Sequence, residues 1–155
     1  MVCYNYANLF STTTSPSSVN SNQTVPMTNI DTKDWKINPD GSITCCNAGS
    51  WQLISQYQVF TLNSVDLGAD ATLEGWFNLN GSPIANSAAT TYASKRGGNA
   101  VLTIAINQTF KKGDKLSFGV RSNNTTSSTL NVVAQGFTTA SGVYAPSCIV
   151  TATKI

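Results

Sequence analysis

Histidine is absent from the chain. That removes the commonest general base, the usual catalytic triads and most zinc or iron sites. Acids are scarce as well: Asp31, Asp34, Asp40, Asp66, Asp70, Glu74 and Asp114 complete the set. A glycosidase needs two carboxylates facing each other across a cleft, and no paired motif stands out here. Asp66 and Asp70 bracket one loop and are the sole candidates to share a calcium ion with backbone carbonyls. The loop lacks the dense acid spacing of dedicated calcium sites, so solvated turn carboxylates are the simpler reading. No glycine-rich phosphate loop leads into a helix. The expectation is a protein that is not an enzyme and holds neither cofactor nor metal.

Charge is sparse too. Charged residues are 10% of the chain and the net charge is +2. Lys95–Arg96 and Lys111–Lys112 are the basic pairs, both in turn-like contexts, so nothing here asks for nucleic acid or an anionic membrane. No apolar run approaches the ~20 residues of a membrane span. Residues 1–10 carry neither the basic segment nor the apolar run of an export signal, so synthesis in the cytoplasm is expected. On that reading the sequons at Asn22, Asn107, Asn123 and Asn124 are by-products of an Asn/Thr-rich composition. The cysteines are Cys3, Cys45, Cys46 and Cys148, with no Cys-x-x-Cys pair. They read as small buried apolar side chains. If any pair bridges, it joins Cys45 or Cys46 to Cys3 or Cys148, and spacing does not choose.

What the chain does have is alternation. Sustained helical periodicity is missing, while short runs switch between apolar and polar residues. Trp51, Leu53, Tyr57 and Val59 alternate with Gln52, Gln56 and Gln58. Leu73, Phe77 and Leu79 oppose Thr72, Glu74 and Asn78. Leu102, Ile104 and Ile106 form a third run, Leu116, Phe118 and Val120 a fourth, Leu130, Val132 and Ala134 a fifth, and residues 148–155 a last one. Turn chemistry separates them: Asn38-Pro39-Asp40-Gly41, Asn80-Gly81-Ser82-Pro83, Lys111-Lys112-Gly113-Asp114, Gly97-Gly98-Asn99 and Ser122-Asn123-Asn124-Thr125. Many short strands in a chain of 155 residues predict one all-β sandwich of about ten strands. A domain of that size buries roughly 70% of its unfolded surface and needs no staples. Residues 11–23, nearly all Ser, Thr and Asn, predict a flexible arm or long loop after a separate first strand.

The order of motifs resembles the globular heads of the tumour necrosis factor (TNF) and complement component 1q superfamily. The resemblance is carried by Gly41-Ser-Ile43-Thr-Cys45 followed by Gly49-Ser-Trp51-Gln-Leu53, by Trp76-Phe-Asn-Leu79-Asn80-Gly81, and by residues 101–110 leading into Gly113-Asp114-Lys-Leu116-Ser-Phe118. It covers roughly residues 25–155. The ending departs from the family pattern, because Gln135-Gly136-Phe137 runs into a loop and the chain closes on residues 147–155. The resemblance implies a single jelly-roll domain over residues 1–155 that assembles as a homotrimer.

Three large side chains on nominally outward positions mark a contact surface: Phe60, Leu62 and Trp76. A β-bulge returning them to the core is the competing reading. The neutral Ser/Thr/Asn-rich surface suggests a virion structural protein, a trimeric capsid decoration or a fibre head, with a major capsid protein or fibre stalk as partner. A receptor- or glycan-binding attachment head is the first alternative, with Trp35, Tyr92 and Tyr144 as ligand-facing loop aromatics. A soluble cytokine-like ligand is the second.

Overall fold

A computed structural model describes residues 6–30, 32–62, 71–92, 99–125 and 132–155. Every regular element among them is a β-strand: β1 (Tyr6–Ser11), β2 (Gln23–Val25), β3 (Asn29–Ile30), β4 (Trp35–Ile37), β5 (Ile43–Cys45), β6 (Gly49–Thr61), β7 (Ala71–Leu79), β8 (Ser82–Pro83), β9 (Ala89–Tyr92), β10 (Asn99–Phe110), β11 (Lys115–Asn124), β12 (Val132–Ala134), β13 (Phe137–Thr138), β14 (Tyr144–Ala145) and β15 (Cys148–Lys154). One sheet, called sheet A, has the order β10-β6-β15-β1-β3, with β12 also on β6. Sheet B has the order β4-β5-β11-β7-β8, with β2 also on β11 and β9 on β7. The chain passes from sheet B to sheet A at β5 to β6, back at β6 to β7, and again around β10 and β11. This alternation between two packed antiparallel sheets is a jelly roll, as the strand pattern predicts.

The core forms where the alternating faces meet. Trp51, Leu53, Tyr57 and Val59 of β6 and Leu73 and Phe77 of β7 are fully buried. Trp35 of β4 meets Trp51 edge to face at 5.4 Å between ring centroids and Phe110 at 5.0 Å, tying the sheets together at one end. Phe77 and Phe118 make a similar contact at 5.6 Å. Each buried side chain of this size contributes roughly 2–3 kcal/mol relative to exposure.

Two turns are held by named bonds. At Asn38–Gly41, Gly41 takes φ +77°, and a side chain there would collide with Pro26 at 2.4 Å. Asp40 accepts from the backbone and hydroxyl of Ser42 at 3.0 and 2.6 Å. At the other turn, Asp114 accepts from the Lys111 backbone at 2.8 Å and from Asn80 Nδ2 at 3.0 Å. Asn80 Oδ1 in turn accepts from the Lys115 backbone at 2.9 Å. The Asn80–Gly81 and Lys111–Asp114 turns are thereby joined.

Several expectations need correction. Ser122, Asn123 and Asn124 are not a break, because β11 continues through them in register with β7. Cys46 is exposed, whereas Cys45 and Cys148 are buried; all three are free thiols. Of the two readings of residues 11–23, arm or long loop, the loop holds: between Ser11 at the end of β1 and Gln23 at the start of β2 the chain lies on the sandwich. Ser15 exchanges backbone hydrogen bonds with Ala134 at 3.0 and 2.7 Å, and Asn20 binds the Ser122 carbonyl at 2.7 Å. Cys3, Asp66, Asp70 and the Gly97–Gly98 turn lie outside the described residues.

The end of the chain is one strand position filled by two segments. Val132–Ala134 pair with Thr61–Val59, and Cys148–Lys154 pair with Tyr57–Trp51 on the same edge of β6. Between them the chain leaves and returns at a single residue. Gln135 donates its backbone N–H to Gln58, and Gln58 donates to Ser147, both at 2.9 Å. Residues 136–146 project as a small hairpin of β13 and β14. The Gln135–Phe137 departure noted in the sequence is therefore an insertion into the last strand.

Candidate functional site

Sheet A turns its even β6 positions and odd β10 positions outward. Cross-strand register lines these up in rows across four strands. One row is Phe10, Ile149, Gln56 and Thr103; the next is Asn8, Thr151, Ile54 and Ala105. Among the described residues no outward position of these strands carries a charge. Phe10 and Val101 are 37% and 52% exposed on this face. The outer face of sheet B differs, bearing Lys36, Glu74, Lys115 and Arg121. Among the described residues sheet A thus presents a broad, neutral, partly apolar face.

The inserted hairpin closes one side of that face. Phe137 sits edge to face on Phe60 with centroids 5.3 Å apart. Beside it Val133, in register with Phe60, is fully buried. Gly142, at φ +81°, and the Thr139 hydroxyl, which accepts from the Val143 backbone at 3.1 Å, shape the hairpin tip. Tyr144 and Val143 are left exposed. A trough of about 480 Å³ runs between the hairpin stem and the sheet, lined by Asn8, Leu9, Phe10, Tyr144, Pro146 and Ile149.

The three outward apolar residues singled out in the sequence do not share one surface. The register of β6 with β10 is unbroken from Gly49 to Phe60, and that of β7 with β11 from Ala71 to Leu79. No bulge returns Phe60 or Trp76 to the core. Phe60 lies on the outer face of sheet A, half-covered by Phe137, with Leu62 exposed just past the end of β6. Trp76 lies on the opposite side of the sandwich, on sheet B.

The loop aromatics separate as well. Trp35 is not ligand-facing: it is 2% exposed, packed between Trp51 and Phe110. Its three-residue strand is too short to show alternation, and its charged neighbours Lys33, Asp34 and Lys36 disguise it as a loop residue. Tyr92 is exposed at the end of β9 on sheet B, and Tyr144 on the hairpin beside sheet A. The hairpin itself was missed; the turn residues Ser141 and Gly142 were its signal in the sequence. No group of three or more metal-binding side chains occurs among the described residues.

Comparison of the whole chain with solved structures finds murine APRIL, a TNF-family protein, in crystals at two pH values. At pH 8.5 the TM-score is 0.59 with 12% identity, covering 98% of this chain and 99% of that one. At pH 8.0 the values are 0.57 and 11% with the same coverage. The fold is a TNF-like jelly roll. No protein-family profile matches the sequence, and no curated protein matches it. The likeness runs almost from end to end of the chain.

Proposed function

We propose that the chain is a non-enzymatic, ligand-like head of TNF-like fold that self-associates as a homotrimer and binds a receptor through its outer loops. The observation that carries this reading is the uncharged outer face of sheet A. Around a three-fold axis a charged side chain near the axis meets its own copies. At contact distance each like pair costs roughly 1 kcal/mol even in water, and more once water is excluded. A face whose described strand positions carry no outward charge, with exposed Phe10 and Val101 on it, can surround such an axis without that penalty. The polar, charged outer face of sheet B suits solvent.

The likeness to a TNF-family protein supports a ligand role over a capsid-decoration or fibre role. The lack of histidine fits a binding module better than a catalyst. Solution mass tests the proposal, with Gln56→Lys as the variant that places like charges at the centre of the face. A trimer that this substitution dissociates supports it; a wild-type monomer at micromolar concentration defeats it.

A further inference from the structure

The outer face of sheet B holds a groove that self-association through sheet A leaves untouched. Trp76 of β7 lies flat across its register partner Gly119 of β11. A Cβ at Gly119 would come within 2.0 Å of the indole, so only glycine lets the ring lie there. The indole N–H is already spent on Asn78 Oδ1 at 3.0 Å. What Trp76 offers a ligand is therefore its open face.

Two hollows flank the ring, of about 290 and 260 Å³, and they share Asn22, Trp76 and Pro83. Each is close to the lower end of small-ligand sites, ~300 Å³. Their polar groups come from both strands. Arg121 and Glu74 face each other in register, one positive and one negative. Arg121 Nη1 reaches Asn22 Oδ1 at 3.3 Å, and Glu74 accepts from Asn123 at 3.3 Å. Both bonds are long, and each group has further donor or acceptor positions. Arg121 Nε is buried without a partner among the described residues, a state that structures normally avoid.

We infer that this groove is a binding site for a neutral pyranose ring of a glycan, stacked on Trp76 and held at its edge by Asn22, Glu74 and Arg121. A sugar presents one apolar C–H face and a rim of hydroxyls that donate and accept. An aromatic plane bordered by a carboxylate, a guanidinium and amides matches both features. The paired opposite charges favour a neutral ring over an anionic one. An extended peptide is a poorer fit, because β7 and β11 already pair with each other and with β2, β8 and β9 at the groove. Among the described residues, the strand edges of β7 and β11 flanking Trp76 are thus taken up, which disfavours strand addition between them.

The test uses the full chain and three probes: a panel of neutral methyl pyranosides, a sulfated oligosaccharide, and a proline-rich peptide. Indole N–H signals are followed by nitrogen-edited NMR, since Trp35 and Trp51 are buried and serve as internal controls. A saturable shift of the Trp76 signal alone with a neutral pyranoside is the expected result. By calorimetry Trp76→Ala weakens that binding about tenfold or more. Asn22→Ala, at an exposed position, leaves the fold intact and weakens it about threefold. No shift with any neutral pyranoside overturns the inference. So does binding confined to the sulfated or peptide probe, or affinity unchanged by both substitutions.

Discussion

Phe60 and Phe137 meet edge to face at 5.3 Å, and this contact fastens the inserted hairpin to the outer face of sheet A. Phe60 belongs to the long central strand β6, while Phe137 belongs to the excursion that splits the last strand in two. Phe137→Ala removes the pair and bares Phe60 and Val133. The expected loss is about 1–2 kcal/mol, from the ring contact and the lost apolar burial. Urea denaturation reads the stability. Hydrogen exchange at the Thr139 and Val143 amides should quicken well before the global transition, because their bonds lie within the hairpin.

Asp114 makes the fold acid-sensitive at one place. Hydrogen bonds from the Asn80 side chain and then from the Lys111 backbone hold its carboxyl below the usual range. Asp40 is lowered likewise by the Ser42 hydroxyl and backbone. A carboxyl lowered on folding contributes stability above its unfolded value, about 4, and loses it as pH falls through its folded value. Both groups are solvent-screened, so the contribution is modest. Urea midpoints measured across pH should fall below about pH 4. Asp114→Asn should flatten that fall while keeping most of the turn geometry. A wild-type profile that stays level there contradicts this role.

The thiols should react in a fixed order. Cys148 is fully buried and its thiol is pushed up by burial. Cys45 is buried too and is raised for the same reason. Thiolate is the reacting form, so both are protected twice, by access and by protonation. Cys46 is exposed. In a Cys3→Ser background, a maleimide should label Cys46 alone in the native protein. Labelling of Cys45 and Cys148 should wait for denaturant. Equal labelling of all three under native conditions would refute the burial described above.

The long strands were legible because burial follows alternation. Trp51 to Val59 and Leu116 to Val120 read directly as inward faces, and the structure buries them. The Asn80–Gly81 and Gly113–Asp114 turns were legible for the same local reason: their chemistry demands positive φ or a side-chain acceptor. Short elements were not. Trp35 sits in a three-residue strand whose charged neighbours hide its burial. Ser122–Asn124 has the composition of a turn, yet pairing with β7 holds it extended. The face of sheet A was hidden differently. Its rows join residues far apart in sequence, such as Phe10, Gln56 and Ile149, and only the register brings them side by side. The Trp76 groove needed Gly119 beneath the indole, a cross-strand relation that no local pattern encodes.

Light scattering on the full chain after gel filtration, at micromolar concentration, tests self-association through sheet A most directly. The expected mass is three times the 16.4 kDa of one chain, falling toward a single chain in Gln56→Lys. A wild-type mass of one chain, or a trimer indifferent to charge at Gln56, would contradict it.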